Sequence, residues 1–147
     1  MSTIVVAGLL AGCADTKEYT FASMSMPEAQ SMVTRGWIPA VLPTTATGVR
    51  FRGNIDTGLV RGEARLGDAE LRRFRESLRP LGGDVVAPFW TKGSVNPSWW
   101  PEELFPPGRA SELRARGWEL FEVPDAKTTY VALRAAEGAV FFWTEHS

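Results

Sequence analysis

Val49-Arg50-Phe51-Arg52-Gly53-Asn54-Ile55 and, after a short break, Val60-Arg61-Gly62-Glu63-Ala64-Arg65-Leu66 alternate apolar and charged residues with a period of two. That period places successive side chains on opposite faces of a strand, so each stretch reads as a half-buried strand. The intervening Asn54-Ile55-Asp56-Thr57-Gly58 supplies turn residues, and the pair reads as a hairpin with an arginine-lined solvent face.

The pattern changes immediately downstream. From Gly67-Asp68 onward Leu71, Phe74, Leu78 and Leu81 recur at helical spacing, with Glu70 near the positive end and Arg72, Arg73, Arg75 and Arg79 further along. Pro80 and Gly82-Gly83 end that helix. Upstream, Ser25-Met26-Pro27-Glu28 matches a capping box with proline in the first turn. Ala29, Met32 and Val33 share a face, and Gly36 supplies a left-handed stop after about ten residues. Trp37 to Pro43 is apolar but carries two prolines, which exclude a regular helix and a central strand. It is expected to pack on the core in extended form.

Downstream, 84–108 is rich in Pro and Trp without a period and reads as a long ordered loop. A short helix over Ala110 to Arg116 stops at Gly117. Strands follow at 118–123, 128–134 and 139–145, the last two joined around Glu137-Gly138. Strands and helices do not alternate regularly. The expected architecture is a single α+β domain: an antiparallel sheet of about five strands with two or three short helices.

A chain of 147 residues with 44% hydrophobic and 22% charged side chains fits one folded domain around one core. Its formal charge of -1 argues against a salt-driven nucleic-acid binder. One histidine, His146, and one cysteine, Cys13, are too few for a histidine triad, a multi-cysteine zinc site or an internal disulfide. No metal or cofactor is expected.

Met1 to Cys13 hold no charged side chain, and Ile4 to Ala11 form an apolar run too short to span a bilayer, which needs about 20 residues. The run resembles the core of a secretory signal. Leu10-Ala11-Gly12-Cys13 then looks like a bacterial lipobox, in which the cysteine thiol takes a diacylglyceryl group. The expected organisation is a signal peptide at 1–13, a polar tether at 14–23 and one domain at 24–147, with Cys13 as the lipid attachment site. Ala14, in place of Asp, favours outer-membrane delivery, facing the periplasm.

Other constellations have plainer explanations. Asp56-Thr57-Gly58 spells the short signature of aspartic proteases, yet it occurs once and between arginine-rich strands, so a turn accounts for it. Glu102-Glu103 follows Trp99-Trp100-Pro101, but no second acid stands at a fixed spacing. His146, one position from the end, is read as a solvated terminal residue. Trp37, Trp118 and Trp143 sit in apolar segments and read as core. Trp90, Trp99 and Trp100 lie in the loop, where packing and an exposed binding anchor compete. Residues 50–79 carry eight arginines against five acids, a local basic excess.

Arg35-Gly36-Trp37-Ile38-Pro39, Leu42-Pro43-Thr44-Thr45-Ala46-Thr47-Gly48-Val49 and Asn54-Ile55-Asp56-Thr57-Gly58 together resemble the YbbD head domain family of small bacterial lipoproteins. The similarity spans about residues 35–80. It implies an envelope-tethered domain and carries over no catalytic residue. The proximity of some members to polymorphic-toxin loci implies, by association, an immunity role.

The resulting expectation is a non-enzymatic, lipid-anchored envelope lipoprotein that binds a protein, such as a toxin or envelope enzyme, through Arg50, Arg52, Arg61, Arg65, Trp90, Trp99 and Trp100. The alternative is a glycan- or small-ligand-binding domain whose tryptophans stack on sugar faces. A hydrolase using Asp56 or Glu102 is the third reading.

Overall fold

The computed structural model describes residues 16–54, 56, 58–82, 97–104, 110–124 and 129–144. Cys13, Trp90 and His146, singled out above, and most of the 84–108 loop lie outside them.

The 49–66 hairpin forms as its alternation requires. Strand β2 (Thr47–Asn54) pairs antiparallel with β3 (Val60–Arg65), placing Val49, Phe51, Val60 and Ala64 on one buried face. The turn is held by Asn54, whose carbonyl accepts from the Gly58 amide and whose amide donates to the Leu59 carbonyl, both at 2.9 Å. Gly58 takes φ +67°, where a Cβ would crowd the backbone.

The sheet has seven antiparallel strands rather than about five, in the order β1-β2-β3-β7-β6-β5-β4. Three of the five expected strands lie in the C-terminal part: β5 (Glu119–Glu122), β6 (Thr129–Arg134) and β7 (Ala139–Thr144). The two additional strands are β1 (Thr16–Ser23) and β4 (Arg79–Pro80), which form the two edges. Thr16–Ser23 was expected within a tether because Thr16, Lys17, Glu18 and Thr20 are polar; all four are exposed, while Phe21 and half-buried Tyr19 face inward. Arg79 and Pro80 were expected at the end of a helix. Helix α2 (Asp68–Glu76) instead stops at Ser77, and the chain pairs Arg79 with Glu122 and Pro80 with Phe121. Proline is tolerated there because the edge needs no further donor.

Among the described residues there are three α-helices: α1 (Pro27–Thr34), α2 and α3 (Ala110–Ala115). The capping box before α1 does not form. Met26 is the N-cap, with no side-chain cap bond, and Ser25 bonds to Ser23 instead. Gly36 and Gly117 stop α1 and α3 with φ of +80° and +92°.

A single core was expected, but the sheet carries two clusters. On one face α1, α2 and the 37–46 segment bury Met32, Ile38, Leu42, Leu71 and Phe74 against Phe51, Val131, Val140 and Phe142. On the other face α3 and residues 99–104 bury Trp100, Leu104, Leu113 and Trp118 against Ala132, Phe141 and Trp143. Central strand β7 therefore has every residue buried, which explains why Ala139-Val140-Phe141-Phe142-Trp143 is a continuous apolar run and not an alternation.

Two strand glycines are notches for aromatic rings. A Cβ on Gly62 would lie 2.1 Å from the Phe142 ring, and one on Gly53 would lie 1.9 Å from Trp37. Phe142 is 1% exposed and has nowhere to swing. Gly62→Ala is expected to lower unfolding stability by about 1–3 kcal/mol through overpacking, measured by urea denaturation. An unchanged midpoint would contradict this packing.

Candidate functional site

Register places the four candidate arginines on one face. Thr20, Arg50, Glu63 and Phe141 follow one another across β1, β2, β3 and β7. The next row runs Glu18, Arg52, Arg61, Trp143, Tyr130, Glu122 and Arg79 across all seven strands. The face thus changes along a row from charged at β1–β3 to aromatic at β7–β6 and back to charged at β5–β4.

The arginine face was expected to be solvent-facing. It is so only in part: residues 97–104 fold back over it and leave Arg61 only 5% exposed, while Arg50 and Arg52 stay half-buried and Arg65 exposed. Three tryptophans of this face, Trp99, Trp100 and Trp118, each take one guanidinium. Arg50 lies 4.7 Å from the Trp99 ring centroid, Arg61 5.7 Å from Trp100 and Arg134 4.4 Å from Trp118. Trp100 also meets Phe141 and Trp143 edge to face at 5.7 and 6.1 Å, and Trp143 stacks on Tyr130 at 5.6 Å.

The remaining charges are matched in place. Arg50 pairs with Glu63, and Arg52 pairs with Glu18 at 3.1 Å. The second Glu18 oxygen accepts from the Trp99 indole N–H at 3.0 Å, which ties the loop to edge strand β1. Arg65 donates to the Glu137 carbonyl at 3.0 Å. Such half-exposed pairs each contribute about 0–1 kcal/mol, so their effect is to fix geometry more than to add stability.

Of the seven candidate contact residues, the structure brings Arg50, Arg52, Arg61, Trp99 and Trp100 together, with Arg65 at the far end of β3. Trp100 and Arg61 are buried, whereas Trp99, Arg50 and Arg52 remain partly exposed and form the accessible rim. Glu18 and Glu63, which organise that rim, were not singled out from sequence. Their signal was available in period two: each stands directly opposite an arginine once the strands are aligned.

The acids raised as catalytic candidates sit in turns. Asp56 sits in a turn in which its amide donates to the Asn54 side chain at 3.0 Å. Glu102 and Glu103 lie in a 3₁₀ turn over Glu102–Leu104. Glu102 is exposed, while Glu103 accepts from the Trp118 indole N–H and from Arg134 at 2.9 Å. The Trp118 bond foremost holds the Glu103 carboxyl below its ordinary value of 4.5; burial opposes it, and the bond and charge of Arg134 with the charge of Arg116 add to the lowering. Among the described residues no group of three or more His, Cys, Asp or Glu is placed to hold a metal ion.

A second feature was missed altogether. A groove of about 750 Å³ opens where α2, β4, β5 and α3 meet, floored by Trp118, Leu120 and Phe121 and flanked by Leu81. Arg75 pairs with Glu119 at 2.8 Å on one wall, and Arg114 donates to the Leu81 carbonyl on another. It depends on Leu81 bonding to Leu120 beyond the end of α2, whereas helical spacing assigned Leu81 to the helix.

Residues 15–63, about a third of the chain, match the family model of the YbbD head domain. The match starts twenty residues before the stretch that carried the resemblance and ends before α2, so it includes β1, α1, β2 and the start of β3. Nothing among the curated proteins or the solved structures matches the chain.

The Glu103 contacts set a pH dependence. A carboxyl with a lowered folded-state pKa stabilises the fold above its unfolded value, and that contribution is lost as pH falls through the lowered value. Wild type is therefore expected to exceed Glu103→Gln in unfolding stability at neutral pH, with the gap narrowing on acidification below 4.5. Chemical denaturation at neutral and acid pH measures it; a gap that widens in acid would contradict the assignment.

Proposed function

We propose that the protein is a lipid-anchored domain of the bacterial cell envelope that works by binding another protein, in the manner of an inhibitor or immunity protein. The observation that carries the anchor is adjacency. Leu10-Ala11-Gly12-Cys13 ends an apolar leader, and the head-domain match begins two residues later, at position 15. A diacylated cysteine holds a protein on a bilayer without a spanning helix, each buried methylene contributing about 0.8 kcal/mol. Among the described residues no helix is long and apolar enough to cross a membrane.

Support for partner binding comes from the rim of Trp99, Arg50 and Arg52. Aromatic and arginine side chains held in fixed positions suit an interface, because little side-chain entropy remains to be lost on contact. A second reading, glycan binding, draws on the same half-exposed indole, whose flat face is flanked by hydrogen-bonding groups of Glu18 and Arg52.

Labelled palmitate is expected to enter wild-type protein in cells and not Cys13→Ser; an unlabelled wild type would contradict the anchor. The soluble Cys13→Ser form is expected to capture one envelope protein at fixed stoichiometry, with affinity lowered about tenfold or more by Trp99→Ala. Capture unaffected by that substitution would remove this rim from the interface. Saturable tryptophan quenching by peptidoglycan fragments would favour the glycan reading instead.

A further inference from the structure

The sheet has two different ends, and the chain enters it at one corner. Thr16 opens edge strand β1 and lies opposite Asn54, the last residue of β2. The Asn54 side-chain amide donates to the Thr16 hydroxyl at 3.3 Å, so the entry point and the β2–β3 turn form one unit. Register carries this end along the sheet: Gly53 opposes Val60, Val60 opposes Thr144, and Thr144 opposes Thr129. The opposite end holds Ser23, Thr47, Arg65, Ala139 and the 3₁₀ turn Ala135–Glu137.

We propose that the end of the sheet bearing Thr16 and the Asn54–Leu59 turn is a lipid-facing surface, with the strands rising from the bilayer and the Ala135–Glu137 end turned away. The inference rests on the Cys13 anchor of the preceding section and adds an orientation to it. Covalent reach carries the argument. Cys13 and Thr16 are three peptide units apart, which span at most about 11 Å even fully extended. An acylated Cys13 therefore fixes the start of β1 within that distance of the headgroups.

The β2–β3 turn is one to two strand spacings from β1, about 5–10 Å sideways. Ala136 lies beyond the six residues of β6, about 20 Å along the strands, and three to four strands across. A long polar tether would average this difference away. The assignment of residues 16–23 to β1 shortens the tether to Ala14 and Asp15. The half-exposed Trp99 rim, bound to β1 through Glu18, then stands beside the membrane on one face of the sheet. The groove under Leu81 lies toward the far edge, at β4 and β5.

The test uses full-length acylated protein in phosphatidylethanolamine–phosphatidylglycerol vesicles that carry a headgroup-attached quencher. Acylation consumes Cys13, so a fluorophore reacts only with a cysteine introduced at an exposed position: Asp56→Cys or, as a second proximal probe, Lys17→Cys, against Ala136→Cys. Quenching at 56 and 17 is expected to exceed that at 136 about threefold or more, given the separations above. A twenty-residue Gly-Ser insert before Thr16, with a root-mean-square span of about 25 Å, is expected to erase the contrast. Intact mass showing the acyl group together with equal quenching at all three sites overturns the orientation alone. Intact mass without it overturns the anchor, and the orientation with it.

Discussion

A guanidinium under an indole, in the middle of a sheet, is the contact on which the other parts depend. Arg61 is a charged residue on a central strand and only 5% exposed, with Trp100 above it and Trp143 directly opposite on β7. Removing a charge from water is costly unless the site compensates it, and an aromatic face offers an electrostatic partner that a leucine would not. Because Trp100 has to reach Arg61, the Pro97–Leu104 stretch is drawn over the sheet. That draws Trp99 onto Arg50 and Glu18 and places Glu103 against Trp118 and Arg134.

The two faces of the sheet solve different problems. The face under α1 and α2 is a conventional apolar layer in which glycine notches at 53 and 62 admit the Trp37 and Phe142 rings. The other face is apolar only over β5, β6 and β7, where α3 covers it. Over β1–β3 it is built from arginines, acids and two tryptophans, close-packed yet polar. Two of the face arginines are matched by acids along the rows, Arg50 by Glu63 and Arg52 by Glu18, which offsets part of a stripe that is basic in sequence. Any partner at this rim meets a flat aromatic and oriented hydrogen-bonding groups more than a bare positive field.

Much of the fold was legible because it follows from periodicity. The β2–β3 hairpin, the apolar face of α2, the glycine stop of α3 and the β6–β7 pairing all come from local pattern. The strands at the edges were not legible. An edge strand buries one face, and β1 fills its alternation with Thr, Lys and Glu, so polarity alone marks it as tether. Arg79–Pro80 is two residues long, below any detectable period. At the candidate site the residue types were legible and their environment was not. Alternation told which side of the strand Arg61 occupies, but only the return of a loop some forty residues away decides whether that side faces water. The same long-range closure explains why Glu18 was overlooked: its partners Arg52 and Trp99 are 34 and 81 residues distant.

The most direct measurement is a double-mutant cycle joining Arg61→Met and Trp100→Leu, with stability read from denaturant unfolding of both single variants and the double. The packing described here predicts a favourable coupling of about 1–2 kcal/mol that persists in high salt, since a desolvated pair is little screened. A coupling near zero, or one that salt abolishes, would mean that Arg61 is a solvated surface cation and that the tryptophan cover is not what holds this face together.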